Sequence, residues 1–329
     1  MSNIRNEHAH TDPGIEAVAT FLRQEDPRGE RFAKAISYTY DLIYNGQATG
    51  RYQWSKLAKT EKTHFGTLFE INIQREFGFA DGDRTDFVIA GHDVDAKWSQ
   101  TGTAASWMLP PEVFGKIAMI ATASDIKGVW SVGLVRAEDR FLRVHDLETY
   151  IEDGVEKVKP PKENRDRKTW LNPLGFKSVH WLWEDAPLPP NILLSLSGSA
   201  MERVMGMKHG SSRTNQLFRE AEGQIVSRTA VATVSRQRDP QKRVRYNGGA
   251  RSALAGEGFL ILSGKYHRRL AEQLGVPIPG PHEYVSVAVV PSSGQQGAML
   301  QGLRWRRAIE SDVISESAPL LPGNGRSQS

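Results

Sequence analysis

The sequence predicts an α/β protein of two domains: a mixed β-sheet flanked by helices, followed by a basic α+β domain with a helix-turn-helix. Apolar residues first recur at helical spacing and then alternate with a period of two after residue 84. The charge also changes sign along the chain. Residues 1–150 carry 17 Lys and Arg against 21 Asp and Glu, whereas the remainder carries 25 against 17. With 329 residues, the chain is long enough for two hydrophobic cores.

The first domain begins with helices and continues with strands. After a polar tail of about a dozen residues, helical spacing predicts helices near residues 15–23, 30–44 and 60–77. Thr60 is the expected N-cap of the third, and Gly78 its stop. Residues 85–90 and 93–99 alternate as two strands around a tight turn at Gly91-His92. Short apolar runs at residues 117–123 and 129–135 predict two central strands.

A charged, proline-containing stretch divides the chain. Residues 151–170 carry Pro160-Pro161 and few apolar side chains, as is typical of a linker. We therefore predict a first domain over residues 12–160, a linker over 161–171, a second domain over 172–318 and a disordered tail over 319–329. Within the second domain, strands are expected near residues 192–196, 259–263, 284–290 and 302–307.

Five charged residues on and near the predicted hairpin form a candidate metal site. Asp93, Asp95 and Lys97 alternate along one strand and therefore share a face. Asp86 precedes Asp95 by nine positions across the turn, so the hairpin can bring the two carboxylates together. Glu70 lies on the preceding helix with Gly66 one turn earlier, which leaves space beside it for metal or substrate.

This pattern suits hydrolysis of a phosphodiester. Mg²⁺ prefers oxygen ligands, which Asp86, Asp95 and Glu70 can supply. The metal would neutralise the scissile phosphate and acidify a bound water, while Lys97 would orient that water or stabilise developing charge, leaving a 5′-phosphate. The alternative is a surface strand with a scattered salt bridge, and Asp93 is the member most readily explained as merely solvated.

The basic charge is concentrated in residues 201–251, which hold eleven Lys and Arg against four acids. A helix from Thr214, a turn at Gly223, a helical stretch through Ala230-Val231 and a third helix opened by Asp239-Pro240 resemble a helix-turn-helix. The strand after Gly258 would add a wing. This pattern favours nucleic-acid binding over an exposed basic subdomain without a ligand. The candidate DNA contacts are Arg213, Asn215, Lys242, Arg243, Arg245, Gly248, Gly249 and Arg251.

Long segments of both halves resemble the NaeI family of type IIE restriction endonucleases. They include Thr49-Gly50-Arg51-Tyr52, Lys59-Thr60-Glu61-Lys62-Thr63-His64, Val94-Asp95 with Lys97, Lys242-Arg243-Val244-Arg245 and Gly248-Gly249-Ala250-Arg251-Ser252. The resemblance implies a restriction-endonuclease-like sheet that cleaves with Glu70, Asp86, Asp95 and Lys97. Thr85 stands where the wider nuclease superfamily usually has proline.

The resemblance further implies a homodimer with two sites for double-stranded DNA. One duplex is cleaved, at the palindrome GCCGGC, and a second activates the enzyme from a catabolite-activator-like winged-helix domain. A cognate DNA methyltransferase is the expected functional partner. The absence of cysteine and of any apolar run of membrane-spanning length fits a cytoplasmic enzyme without a membrane partner.

Two other functions remain open at this stage. A repair or nicking nuclease would use the same four residues without a partner methyltransferase. A DNA-binding regulator on an inactive nuclease scaffold would require a broken metal site, and all four residues are present. An ATP-driven enzyme is disfavoured because residues 258–266 do not match a phosphate-binding loop. Five residues separate Gly258 from Gly264, and Tyr266 occupies the Ser/Thr position of the motif. His64 is left as a structural residue or a DNA contact.

Overall fold

The computed structural model describes residues 12–103, 106–143, 149–152, 155–158 and 168–321. The chain divides into two compact units. The first comprises residues up to Tyr40 together with Ala58–Pro189, and the second comprises Asp41–Leu57 together with the chain from Pro190 onward. Residues 1–11 of the predicted N-terminal tail and residues 161–167 of the predicted linker lie outside the described residues, as do the residues after 321.

The helices are α1 (Pro13–Glu25), α2 (Glu30–Tyr44), α3 (Gly46–Thr49), α4 (Lys59–Phe77), α5 (Pro173–Lys177), α6 (Ile192–Ser195), α7 (Gly198–Met205), α8 (Gly210–Glu220), α9 (Arg228–Ser235), α10 (Ala250–Ala255) and α11 (Arg268–Gln273). The strands are β1 (Ala80–Asp81), β2 (Phe87–Ile89), β3 (His92–Trp98), β4 (Met108–Leu109), β5 (Ile117–Ser124), β6 (Val129–Arg136), β7 (Thr149–Glu152), β8 (Val155–Val158), β9 (Thr169–Trp170), β10 (His180–Pro187), β11 (Ile225–Ser227), β12 (Phe259–Ser263), β13 (Glu283–Pro291), β14 (Ala298–Leu300) and β15 (Leu303–Arg307). Short 3₁₀ segments cover Trp54–Lys56, Pro111–Val113, Asp139–Phe141 and Pro240–Val244.

The first unit is built on a six-stranded mixed sheet with the order β1-β2-β3-β5-β6-β10. Only the β3–β5 pair is parallel among these strands. One face packs against aromatic side chains of α2 and α4. On that face Trp130 stacks on Phe32 at 6.0 Å between centroids, and Trp98 lies 4.4 Å from the Phe65 ring. Ala118, Ile120 and Val135 lie on the other face, in a cluster of buried residues around Trp107.

The second unit has its own sheet, in which β13 pairs with β11, β12 and β15, and β14 pairs with β15. Its first core cluster fills the space among α7, α8, α9 and α10, and includes Leu217, Phe218 and Val231. A second cluster includes Leu262, Val287 and Trp305. None of the helices described in either unit is long and apolar enough to cross a membrane.

The first unit agrees with most of the predicted pattern, and its sheet is the predicted mixed sheet flanked by helices. The hairpin turn is Ala90-Gly91 rather than Gly91-His92, with positive φ at both residues. Helix α4 begins at Lys59 after the N-cap residue Ala58 and ends at Gly78, which is left-handed as predicted. The unit runs to Pro189, beyond the predicted boundary at residue 160, because β10 pairs with β6. The described parts of the charged stretch 151–170 include most of the antiparallel pair β7–β8.

The second unit departs more from prediction. Residues 192–196 were expected as a strand, but Ile192–Ser195 is a helix whose N-cap, Asn191, accepts a hydrogen bond from the Leu193 N–H. Helix α8 begins at Gly210 rather than Thr214. The helix expected at Asp239-Pro240 is a five-residue 3₁₀ segment, capped by Asp239 as predicted. The start of the predicted disordered tail is packed, since Leu321 is buried in a core cluster.

Candidate active site

The β2–β3 hairpin brings Asp86 and Asp95 together. The antiparallel register pairs Phe87 with Val94, so the preceding residue, Asp86, stands opposite Asp95. The ladder has ended at this point, and the N–H of Ala96 donates instead to Asp86 Oδ2 at 2.7 Å. This bond fixes the Asp86 carboxylate beside β3. The sequence spacing predicted that the Asp86 and Asp95 carboxylates lie close together, and the register of the hairpin agrees.

Asp95 and Lys97 form an ion pair on the sheet face that is covered by the Trp107 cluster. The register places Asp95 beside Ala118 and Lys97 beside Ile120, two residues of that cluster. Asp95 is 4% exposed, and its Oδ2 lies against Lys97 Nζ without the alignment of a hydrogen bond. The ammonium also donates to the Ala96 carbonyl at 3.0 Å. A buried carboxylate oxygen without a well-aligned donor is costly unless a cation satisfies it.

The site raises the pKa of two of its carboxyls. Burial raises the pKa of Glu70 to about 7, and the Asp86 charge adds to this, while Lys97 opposes it. Burial likewise raises the pKa of Asp95 to about 6, with Lys97 acting in the opposite direction and Asp86 and Glu112 adding to the rise. Desolvation and mutual repulsion both disfavour three ionised carboxylates here. A bound cation would relieve both effects.

The donor chemistry of the site fits a hard divalent cation. Asp86, Asp95 and Glu70 offer only carboxylate oxygens, which Mg²⁺ prefers over nitrogen or sulfur ligands. Across the residues that the structure describes, no group of three or more His, Asp or Glu side chains is already gathered as a metal centre. The carboxylates are therefore neighbours with matching chemistry, but they are not closed around a common point.

The neighbours of the site modify three expectations. Asp93 lies on β3 but pairs with Lys116, at 2.8 Å between Oδ2 and Nζ, which explains it without a catalytic role. A side chain at Gly66 would meet Trp98 Cβ at 3.7 Å, so the space at this glycine faces the strand rather than Glu70. His64 is exposed on α4. Glu112, which was not among the predicted site residues, is an exposed fourth acid whose charge raises the pKa of Asp95.

Comparison with known proteins identifies the family. A family model described as restriction endonuclease NaeI matches residues 16–316. The chain belongs to the NaeI restriction endonuclease family. The type II restriction enzyme NaeI of Lentzea aerocolonigenes is 40% identical to it over 333 residues, covering 98% of each chain. The resemblance predicted from the motifs is confirmed, and the activity class is that of a restriction endonuclease, a site-specific DNA nuclease.

The predicted DNA contacts of this NaeI family member fall into two groups. Two are engaged inside the second unit. Arg213 donates from Nε to the Val234 carbonyl at 2.5 Å and from other guanidinium nitrogens to three further carbonyls. Arg251 is 9% exposed and donates to the Ile261 carbonyl at 3.0 Å. Both arginines therefore stabilise the fold of the unit and lie outside the proposed DNA surface.

The other candidates range from exposed to buried. Lys242, Arg245 and Gly248 are exposed, and Asn215 and Arg243 are half-buried. Arg245 lies 3.8 Å from Asp239. A side chain at Gly249 would collide with the Arg245 carbonyl at 2.3 Å, so this glycine serves packing within the chain. Arg228, Arg236 and Arg238 are exposed cations of the same basic segment that the sequence analysis did not name as DNA contacts.

Proposed function

We propose that the protein is a type II, Mg²⁺-dependent endonuclease that hydrolyses phosphodiesters of double-stranded DNA at a specific palindrome. The observation that carries this proposal is the buried Asp95–Lys97 pair with Asp86 held opposite by the Ala96 N–H. Asp86, Asp95 and Glu70 would hold the metal. When bound, Mg²⁺ would neutralise negative charge on the scissile phosphate and lower the pKa of a bound water.

The chain's own groups then divide the remaining work. Lys97 is fixed beside Asp95 and by the Ala96 carbonyl, so its ammonium is positioned to orient the attacking water or to stabilise charge on phosphorus. Burial raises the pKa of Glu70 to about 7 in the metal-free site, so Glu70 would release a proton when it binds the cation. In-line attack by water leaves a 5′-phosphate and a 3′-hydroxyl.

We propose further that the second unit binds a second, activating duplex. The order α8, β11, α9, α10, β12, β13, with β13 paired to both β11 and β12, supports a winged-helix domain. Exposed cations after α9 supply the charge for phosphate contacts. We extend the proposal to a homodimer in the cytoplasm, to the target GCCGGC and to a cognate methyltransferase, all of which the family resemblance suggests.

Digestion of a plasmid tests this function directly. The protein is incubated with methylated and unmethylated plasmid, with Mg²⁺ and with a chelator. We expect discrete fragments from unmethylated DNA with Mg²⁺ only. A smear or nicked circles would indicate the repair or nicking nuclease instead. Retained DNA binding without any cleavage would indicate the regulator on an inactive scaffold.

Activation needs a separate assay. A plasmid with one target is cleaved with and without a short duplex that carries the target. We expect the added duplex to accelerate cleavage of the plasmid. Cleavage that the duplex only inhibits, as a competitor would, contradicts the second DNA site.

A further inference from the structure

The second unit contains a polar cavity of about 350 Å³ that no predicted site includes. It is lined by Asn45, Gln47, Ala48, Arg236, Gln237 and Arg238. The first three come from the segment that directly follows α2, and the last three follow α9. Although nearly 200 positions separate the two segments in sequence, both belong to the second unit.

Close packing and hydrogen bonds fix the walls of this cavity. A side chain at Gly46 would lie 2.1 Å from Thr233 Oγ1, so only glycine permits this approach of α3 to α9. Gln47 Nε2 donates to the Gln237 carbonyl at 2.7 Å, and Arg236 Nη2 donates to the Ala48 carbonyl at 3.3 Å. These contacts hold the two segments that line the cavity against each other.

The lining carries positive charge without a compensating acid. Arg236 and Arg238 are its two charged residues, and both are exposed. Arg238 has neither an ion pair nor a hydrogen bond to any side chain that the structure describes. The carboxylates nearest to the lining in sequence have other partners, since Asp41 accepts from Thr229 and Asp239 caps the 3₁₀ segment after it.

One neutral side chain, that of Asn45, completes the donor set. Asn45 is exposed and left-handed, and its amide makes no capping bond although it stands at the N-cap of α3. Amide and guanidinium N–H groups that line one cavity with no acid among them are suited to an anion with several acceptor oxygens. A phosphate group has that chemistry.

We propose that this cavity binds a backbone phosphate of the DNA duplex held by the second unit. The inference rests on the proposed function, because it assumes that the second unit binds DNA. It adds that residues 45–48, which lie far from the basic segment in sequence, form part of the DNA-binding surface. Arg238 and the Asn45 amide contact the phosphate, while Arg236 mainly holds the wall.

The test compares charge-matched variants of the full chain. Arg238→Gln removes the proposed contact. Arg269→Gln, on α11, removes an equally exposed charge from outside the cavity lining. Asn45→Gly keeps the left-handed backbone and deletes only the amide. Binding of a short labelled duplex is measured by fluorescence anisotropy over a range of salt concentrations, with a chelator present to prevent cleavage.

We expect Arg238→Gln to weaken binding about fivefold to tenfold at low salt and to reduce the slope of log affinity against log salt by about 0.9. Asn45→Gly should weaken binding with less change in slope, and Arg269→Gln should match the wild type. Equal slopes for Arg238→Gln and Arg269→Gln would overturn the inference, because the effect would then be one of general charge.

Arginine modification provides a second readout that does not depend on cleavage. Phenylglyoxal modification followed by peptide mass spectrometry should show Arg238 protected by duplex, but not by millimolar inorganic phosphate. Equal reactivity with and without duplex would refute the contact, and equal protection by inorganic phosphate would indicate a free-anion site instead.

The inference and the proposed function can fail separately. If the duplex protects Arg238 but does not stimulate cleavage, the inference stands and activation is rejected. If the wild type binds no duplex, both fail together.

Discussion

The Asp41 carboxyl makes the second unit less stable as the pH rises through 6. Its Oδ2 accepts a hydrogen bond from Thr229 Oγ1 at 2.9 Å, and burial raises its pKa from 3.8 to about 6. The folded chain therefore binds a proton at Asp41 more tightly than the unfolded chain does. Stability from this group is fully present below pH 3.8 and is lost as the pH rises through about 6.

The size of this loss follows from the pKa difference. Each pKa unit corresponds to about 1.36 kcal/mol, so the rise from 3.8 to about 6 costs about 3 kcal/mol of unfolding free energy at pH 8. That figure is an upper bound, because residual solvent reduces it. Asp41→Asn removes the titrating proton and keeps an oxygen that can accept from Thr229. We expect it to stabilise the protein by about 1–3 kcal/mol at pH 8 and to have little effect at pH 4.

Urea unfolding at both pH values measures the effect. Glu310→Gln, an exposed acid of the same unit, is the control and should change the unfolding free energy by less than about 0.5 kcal/mol. Destabilisation by Asp41→Asn at pH 8 would refute the reasoning, because it would mean that the ionised carboxylate is more favourable in the folded unit than in water.

Three further predictions concern stability. Gly46→Ala places a methyl group 2.1 Å from Thr233 Oγ1 and should cost about 1–3 kcal/mol in urea unfolding, with partial rescue by Thr233→Ala; full stability of the single variant would contradict the packing. Phe65→Ala empties a fully buried site against Trp98 and should cost about 3–5 kcal/mol by the same measurement, whereas a cost below 1 kcal/mol would mean that the site collapses or is not buried. Asp12 caps α1 and binds Arg136, which lowers the pKa of the Asp12 carboxyl to about 2. The wild type should be about 2 kcal/mol more stable than Asp12→Ala at neutral pH, and this difference should disappear as the pH falls from 3.8 to 2. Acid titration followed by tryptophan fluorescence measures it. A difference that does not depend on pH would exclude the ion pair.

Local sequence signals were sufficient for the hairpin of the candidate site. Alternation defined β2 and β3, and two turn residues between them set the register that places Asp86 opposite Asp95. Positive φ at Ala90 and Gly91 identifies the turn, one residue earlier than predicted, because a two-residue loop needs left-handed conformations at both positions. The proximity of Asp86 to Asp95 could be predicted because the two residues lie close together in sequence.

Elements that depend on distant partners could not be predicted. Strand β10 is an irregular edge strand with two register shifts against β6, and its sequence lacks the regular alternation of apolar and polar residues that would predict a strand. Residues 192–196 are a short apolar run, which periodicity cannot assign to helix or strand. Asn191 decides for a helix because its side chain caps the first turn.

Hydrogen bonds within the second unit also determine which of its cations can contact DNA. Arg213 and Arg251 belong to the basic segment in sequence, but carbonyl oxygens bind their guanidinium groups inside the second unit. Composition counts such residues as DNA-binding charge, since it has no information about where a side chain points. Assignment of residues 41–57 to the second unit likewise depends on contacts between α3 and α9 that no local pattern contains.

The most direct test of the account compares cleavage and binding by the wild type and Asp95→Asn. Single-turnover cleavage of plasmid DNA with Mg²⁺ is measured beside duplex binding in a chelator. If Asp95 holds the metal, its loss removes several kcal/mol of transition-state stabilisation, so cleavage should slow by at least about a thousandfold while the binding constant changes less than about threefold. Cleavage by Asp95→Asn at a rate near that of the wild type would contradict the proposed active site.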